Sequence, residues 1–271
     1  KIPAGGGMKD GLMVLDILAR HPSTAKFLAT KLARRFVMDN PTPELVARIS
    51  AAYMKSDGSI RETLRAIITS PEFNSQVAYR AKIKTPFELA ISAIRTLGGE
   101  TNGGPAIHQW IARMGEPLYM YQAPTGYPDT AEDWVNTGSL LERLNFALAL
   151  VSNRIPGTRV DLSRFAGEAG AEANASIDKT KVMERFIGVI LSGDVSLQTK
   201  ATLTKQLNEP LPAPSSTSAQ TMPADDAQNQ MGRGGRGLRQ MARADTGRVI
   251  GNPEIVKIAG LILGSPEFQR Q

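Results

Sequence analysis

The chain has 271 residues, 41% of them hydrophobic, a formal net charge of +6 and no cysteine. That length allows one large domain or two small ones with a sizeable core, and the absence of cysteine excludes disulfides, thiol catalysis, iron–sulfur clusters and thiolate zinc sites. No apolar stretch reaches the roughly 18 residues that span a membrane, and the charge is local, because five Arg and one Asp between Gly232 and Arg248 carry four of the six net positive charges.

Apolar residues recur at helical spacing along the first 150 residues. Residues 1–7, KIPAGGG, lack both a Met and an apolar signal region, so the chain is expected to be an internal fragment or a processed product. The first predicted helix covers about 11–20, with Leu12, Leu15 and Leu18 on one face, and the second covers about 23–38. The apolar stripe of the second helix is Phe27, Leu28, Leu32, Phe36 and Val37.

Residues that cap a helix N-terminus mark three further helix starts. Thr42 precedes Pro43, and Ser59 and Thr85 each have Glu three residues later, which is the capping-box pattern. Gly98 ends the last of these helices, and a shorter helix is expected at about 106–114. No segment shows the sustained alternation of a strand. The predicted fold is therefore all-α, an irregular multi-helix domain.

A long loop rich in aromatic residues interrupts the helices at 115–136, where the sequence is GEPLYMYQAPTGYPDTAEDWVN. A loop of this length inside a compact domain is usually either packed on the body or functional. Tyrosine and tryptophan rings suit stacking on a sugar or on a partner protein. Packing of the rings over helix ends is the favoured interpretation, and binding is the alternative. The four rings are Tyr119, Tyr121, Tyr127 and Trp134.

Further helices are predicted at about 139–151, 178–191, 196–207 and 253–263. The first of them is expected to turn Leu140, Leu141, Leu144, Leu148 and Val151 inward. Residues 208–250 form a low-complexity segment, first Pro/Ser-rich and then Arg/Gly-rich. The expected division is a helical domain at 1–207, a loop or linker at 208–250, and a C-terminal helix at 251–271 that packs back on the domain.

The phrase Ser-Pro-Glu-Phe occurs twice, at Ser70 and at Ser265, each time after an apolar helix end. The serine hydroxyl can cap a following turn, the proline fits the first helical position, and the phenylalanine can pack back on the helix just ended. We interpret the repeat as a helix junction. Duplication of a helical unit is the alternative, and a duplicated active site does not fit.

Residues suited to metal or acid–base chemistry are few. The only histidines, His21 and His108, lack helical pairing, and His21 is expected to form a hydrogen bond at a helix end. Asp129, Glu132 and Asp133 lack the spacing of an EF-hand loop and suit the start of a helical turn, with calcium as the alternative. No metal site and no cofactor is predicted.

The Arg/Gly-rich segment has arginines spaced among glycines, a pattern that can follow a phosphate backbone or another polyanion. One short Arg-Gly-Gly unit without interleaved aromatic residues favours an ordinary solvated loop. Nucleic acid is therefore not the expected partner. The residues that polyanion binding would use are Arg233, Arg236, Arg239 and Arg243.

Four ordered phrases resemble a large, uncharacterised bacterial family, domain of unknown function 1800 (DUF1800). They are VLDILARHPSTAKFLATKLARRFV, SDGSIRETLRAIITSPEF, KIKTPFELAISAIRTLGG and MGEPLYMYQAPTGYPDTAEDWVNTGSLLERLNFA, and LILGSPEF follows near the C-terminus. The resemblance is to the C-terminal half of family members, whose N-terminal half is missing here. The aromatic pattern of the family falls on Gly126, Tyr127, Pro128, Trp134 and Asn136, followed by Arg143 and Asn145.

The resemblance implies where the protein is located in the cell, but it implies no reaction. Members commonly look exported and are often encoded beside proteins that resemble sulfatases or phosphatases, which implies a periplasmic or secreted role. No reaction is established for the family, so no catalytic residue carries over to this chain.

Three functions remain as alternatives, and whether the chain is an enzyme stays open. The favoured one is an exported bacterial helical module with a structural or partner-binding role, part of a larger protein. Its apolar helix faces would bind the missing N-terminal half, another chain or a second copy. The second is a fragment of an extracellular enzyme that acts on a polymer, and the third is polyanion binding by the Arg/Gly-rich segment. Candidate binding residues in or beside the 115–136 loop are Tyr119, Tyr121, Gly126, Tyr127, Pro128, Trp134, Asn136 and Arg143.

Overall fold

The computed structural model describes residues 2, 5–166, 178–209 and 252–271, and it confirms the all-α fold class. Two very short strands, β1 (Glu100–Thr101) and β2 (Thr158–Arg159), pair antiparallel with Glu100 opposite Arg159. The described helices are α1 (Met8–Ala19), α2 (Pro22–Phe36), α3 (Pro43–Lys55), α4 (Ile60–Ile68), α5 (Pro86–Thr96), α6 (Pro105–Arg113), α7 (Ala131–Trp134), α8 (Thr137–Val151), α9 (Ser163–Ala166), α10 (Lys179–Leu191), α11 (Leu197–Asn208) and α12 (Pro253–Leu263).

The chain divides into two compact units. Unit 1 comprises residues 1–84, 121–136 and 270–271, and unit 2 comprises residues 85–120 and 137–269. The aromatic-rich loop is split between them, since residues 115–120 belong to unit 2 and residues 121–136 to unit 1. Nearly all of the low-complexity segment, with Arg233, Arg236, Arg239 and Arg243, lies outside the described residues.

The core of unit 1 forms where α2, α3 and α4 pack together. The buried residues of α2 are alanines, whereas Phe27 and Phe36, two members of the predicted apolar stripe, are 62% and 49% exposed. Small side chains let the α2 and α3 backbones approach closely, so the larger α3 side chains fill the contact. The core side chains are Ala29, Ala33, Val37, Leu45, Val46, Ile49 and Ile67.

The predicted helix starts are confirmed by side-chain caps. His21 Nδ1 accepts from the Ser23 N–H at 3.1 Å, and Thr42 Oγ1 accepts from the Leu45 N–H at 3.3 Å. Thr85 forms the complete capping box with Glu88. Ser59 forms one of the two hydrogen bonds of its predicted capping box, since its hydroxyl accepts from the Glu62 N–H. The Glu62 carboxylate does not bond back to Ser59, because it pairs with Arg65 at 3.3 Å.

Unit 2 has the larger core, which forms where α12 packs on α8, α10 and α11. The prediction for α8 was partly wrong, because Leu140 and Leu141 are exposed while Arg143 and Phe146 are buried. A helix of apolar composition offers more than one inward face, and the position of α12 decides between them. Large buried side chains in this core include Phe146, Leu150, Ile111, Met114, Phe186 and Leu89.

Both Ser-Pro-Glu-Phe phrases form the predicted helix junction. The Phe73 N–H donates to Ser70 Oγ at 3.2 Å in unit 1, and the Phe268 N–H donates to Ser265 Oγ at 3.4 Å in unit 2. Both serines are buried, and each phenylalanine packs against the core of its own unit. The repeat therefore has one structural role in two places.

Candidate functional site

The first helix carries an exposed apolar surface. The structure describes all of α1, and none of its residues is buried. Leu12, Leu15 and Leu18 form the predicted apolar face and are 56%, 62% and 54% exposed. Soluble proteins rarely expose so many neighbouring apolar side chains unless the surface binds something. The exposed apolar side chains of α1 are Met8, Leu12, Met13, Val14, Leu15, Ile17 and Leu18, and we call them the α1 surface.

Polar contacts join α1 to unit 1 at its C-terminal end. The Tyr53 hydroxyl of α3 donates to the Ala19 carbonyl at 2.8 Å, and the exposed Arg20 and Asp57 form an ion pair at 3.1 Å. At the other end, the Asp10 carboxylate in the first turn accepts from the N–H of Gly6, just before the helix, at 2.9 Å. These contacts hold α1 by its last turn and leave its apolar sides open.

The second part of the aromatic-rich loop forms a cluster of neighbouring rings in unit 1, tilted by 45° and 43° to one another. Ring centroids of Tyr121 and Tyr127 lie 4.6 Å apart, and those of Tyr127 and Trp134 lie 5.8 Å apart. Trp134 is buried and its Nε1–H donates to the Pro128 carbonyl at 3.1 Å. The indole is therefore used to shape the loop, which supports the internal-packing interpretation for Trp134. Tyr121, 43% exposed, lies at the outer edge of the cluster.

A charged pair fastens this loop to the rest of unit 1. Asp39 and Lys82 form a salt bridge in which the Lys82 side chain is 8% exposed and that of Asp39 19%. Lys82 Nζ also donates to the Asp129 carbonyl at 3.0 Å, and the second carboxylate oxygen of Asp39 accepts from the Ala131 N–H at 2.8 Å. The pair thus contacts the loop backbone on both sides of Thr130. We call Asp39 and Lys82 the anchor pair.

The C-terminus of the chain holds Lys82 in place. The Lys82 N–H donates to the Gln271 carbonyl at 3.2 Å, and the Gln271 N–H donates back to the Lys82 carbonyl at 2.9 Å. Ile83 and Arg270 form an isolated antiparallel bridge beside them. Hydrogen bonds between residues more than 180 positions apart therefore hold the backbone of Lys82.

Two acidic residues of the loop, Asp129 and Asp133, make contacts within unit 1. Asp129 pairs with Lys31 at 2.9 Å, and Asp133 accepts from the Thr130 hydroxyl at 2.7 Å at the start of α7.

Within the described ranges, no group of three or more His, Asp or Glu side chains is placed to hold a metal ion. His108 Nε2 lies 2.9 Å from the Gly103 carbonyl. No helix among the described residues is both long and apolar enough to cross a membrane.

The other predicted site residues belong to both units. Tyr119 is fully exposed in unit 2, and Gly126 occupies a turn of unit 1 at φ +76°, where a side chain would be strained. Asn136 is exposed at the end of the loop. Binding by these residues stays a prediction.

Arg143, also predicted as a binding residue, is a core residue of unit 2. Its side chain is 1% exposed, and Nη1 donates to Gln269 Oε1 at 3.0 Å. Burial lowers the pKa of Arg143 to about 10, and the nearby Glu116 carboxylate opposes that shift. Arg143 thus belongs to the interior of unit 2, and its binding role stays a prediction.

The comparisons with known proteins support one conclusion. A search of curated proteins found no significant match, and a search of solved structures found none either. The family described as "Protein of unknown function (DUF1800)" matches residues 1–270. Because that match extends over essentially the whole chain, it gives no support to the expectation that the chain is only the C-terminal half of a family domain. The match shows that the chain belongs to the DUF1800 family.

Proposed function

We propose that the chain is a bacterial helical module that works outside the cytoplasm and binds a protein partner through the α1 surface. The observation that carries the proposal is a helix of twelve residues, seven of them large and apolar, in which no residue is buried. The extracytoplasmic location is supported by the family resemblance alone. Polyanion binding stays a prediction, because its four arginines lie outside the described residues.

The size of the exposed surface makes binding energetically reasonable. Complete burial of a Leu or Met side chain stabilises a complex by about 1.5–3 kcal/mol. Because the seven side chains are 40–81% exposed in the chain alone, each gains about half of that energy, and covering all seven would offset much of the roughly 4–15 kcal/mol that association costs in lost freedom. The α1 surface has enough apolar area for a specific interface.

Replacing Leu12, Leu15 and Leu18 together by Gln should weaken self-association of the chain about 100-fold or more. The reason is that all three side chains lose the transfer energy of their apolar surface. Association is measured by light scattering and sedimentation over a range of protein concentrations.

The matched control replaces three exposed leucines of unit 2 by Gln, namely Leu140, Leu141 and Leu197. We expect this control to associate like the unchanged chain. A control that loses association while the α1 variant keeps it would contradict the proposal. So would a chain that stays monomeric at high concentration with α1 amides that exchange like those of a free peptide.

A further inference from the structure

The turn between β1 and α6 has the sequence Thr-Asn-Gly-Gly at 101–104 and belongs to unit 2. It contains the only Asn-Gly pair of the chain, and both Asn102 and Gly103 are exposed. Asparagine is one of the chemically labile residues of proteins. Glycine after it leaves the next main-chain nitrogen unshielded, since glycine has no side chain. A Cβ at Gly103 would meet no atom beyond its chain neighbours within 4 Å, so the space beside Gly103 is open.

The Asn102 side chain is held in one orientation. Its Oδ1 accepts from the Gly104 N–H at 2.9 Å. The amide lies against Gly157, where a Cβ would come within 2.5 Å of Oδ1 and Nδ2 and 2.6 Å of Cγ. The Asn102 N–H donates to the Gly157 carbonyl at 2.9 Å, so the backbone is fixed at the same place.

These contacts suit attack of the Gly103 nitrogen on the side-chain carbonyl of Asn102. The two groups belong to neighbouring residues, and groups held together react far faster than separate molecules do. Negative charge develops on Asn102 Oδ1 as the carbonyl carbon becomes tetrahedral. The Gly104 N–H already donates to this oxygen, and a donor fixed in that position stabilises the developing charge.

We infer that Asn102–Gly103 is a site of spontaneous covalent modification. The Gly103 nitrogen loses its proton to water and bonds to Asn102 Cγ, while the Cγ–Nδ2 bond breaks and Nδ2 leaves as ammonia after taking a proton from water. A water molecule then opens the resulting succinimide ring at either carbonyl, which gives aspartate or isoaspartate at position 102. The inference is independent of the proposed function, because the α1 surface belongs to unit 1.

The modification is expected to open the end of the β1/β2 pair. Ring closure removes the Gly103 N–H, which donates to Thr101 Oγ1 at 3.2 Å. Thr101 pairs with Thr158 across the two strands, and their hydroxyl oxygens lie 2.8 Å apart. Isoaspartate adds a negative charge and lengthens the main chain by a methylene group beside the hydrogen bond from Asn102 to Gly157. Both charge and strand pairing therefore change at this position.

Incubation of the folded chain at mildly alkaline pH tests the reaction, because the attacking nitrogen must lose its proton. Peptide mass spectrometry measures the conversion of each asparagine. We expect Asn102 to convert before every other asparagine, since none of the others is followed by glycine. The matched control is Asn102→Gln, which keeps the charge and should stay unmodified, because glutamine must close a larger ring.

A synthetic peptide of residues 98–106 measures the same reaction without the fold. We expect Asn102 of the folded chain to react within about tenfold of the rate in the peptide, because the Gly104 N–H assists the attack. A slower reaction than that would show that the hydrogen bonds of Asn102 protect its amide, and would overturn the inference. Conversion of another asparagine before Asn102 would overturn it as well.

Hydrogen exchange of the Asn102 amide tests the effect on the β1/β2 pair. The modified chain is separated from the unchanged one by ion exchange, because it carries an added negative charge. We expect its Asn102 amide to lose protection, since the hydrogen bond to the Gly157 carbonyl is weakened. Asn102→Asp has the charge without the added methylene group and should keep more of the protection. Full protection in the isoaspartate form would contradict the opening of the pair.

Discussion

Replacing Asp39 by Ala should destabilise unit 1 by about 3 kcal/mol. Asp39 and Lys82 form the anchor pair, and removal of the carboxylate leaves a nearly buried ammonium without its counter-charge. Removing one partner of a buried ion pair lowers stability by far more than the intact pair contributes, because the remaining charge stays desolvated. The Ala131 N–H loses its acceptor in the same variant, which adds to the cost.

The measurement can be confined to unit 1 because the chain has two tryptophans, Trp134 in unit 1 and Trp110 in unit 2. In a Trp110→Phe background, Trp134 fluorescence reports the unfolding of unit 1 by denaturant. The matched control is Lys31→Ala, which breaks the more exposed Lys31–Asp129 pair and should cost about 0–1 kcal/mol. If both variants lose the same free energy of unfolding, the anchor pair contributes no more to stability than the exposed Lys31–Asp129 pair.

A double substitution distinguishes the effect of the unpaired charge from the effect of the lost contacts to the loop backbone. Asp39→Leu together with Lys82→Met removes both charges and keeps apolar volume, so we expect it to recover most of the stability lost in Asp39→Ala. A double variant as unstable as the single one would mean that the contacts to the loop backbone, and not the unpaired charge, carry the effect.

The helices were predictable from sequence because their boundaries depend on nearby residues. Each cap at His21, Thr42 and Thr85 binds a backbone N–H two or three residues away. The same local rule explains the two Ser-Pro-Glu-Phe turns. Which face of a helix turns inward depends on other helices, and there the predictions for α2 and α8 were partly wrong.

The arrangement around the loop was not predictable for the same reason. Asp39, Lys82 and Ala131 are separated by more than forty residues at each step, and no local pattern connects them. The rings of the loop were identified from composition, but whether a ring packs or binds depends on what lies against it. Trp134 is buried and hydrogen-bonded within the loop, whereas Tyr119 is exposed. Apolar periodicity likewise located the face of α1 without showing that this face is uncovered.

Replacing Arg143 by Ala should destabilise unit 2 by about 3–5 kcal/mol. The change deletes a large buried side chain, which leaves a cavity, and removes the donor to Gln269 Oε1. Gln269 Nε2 donates to the Leu263 carbonyl at 3.2 Å, so the loss extends to the end of α12. Arg143→Met fills more of the volume and should cost less than Ala. In a Trp134→Phe background, Trp110 fluorescence measures both variants in denaturant.

The pH dependence distinguishes the charge of Arg143 from its volume. Burial lowers the pKa of Arg143 to about 10 in the folded chain, so from pH 10 up to the ordinary arginine value the unfolded chain binds more protons. Stability therefore rises with pH in that window for the unchanged chain relative to Arg143→Met, which lacks the group. The difference in free energy of unfolding between the two proteins should be constant below about pH 9 and should then move in favour of the unchanged chain. A difference that stays flat through this window would mean that the folded protein does not disfavour the guanidinium charge, and that Arg143 contributes through packing and hydrogen bonding alone.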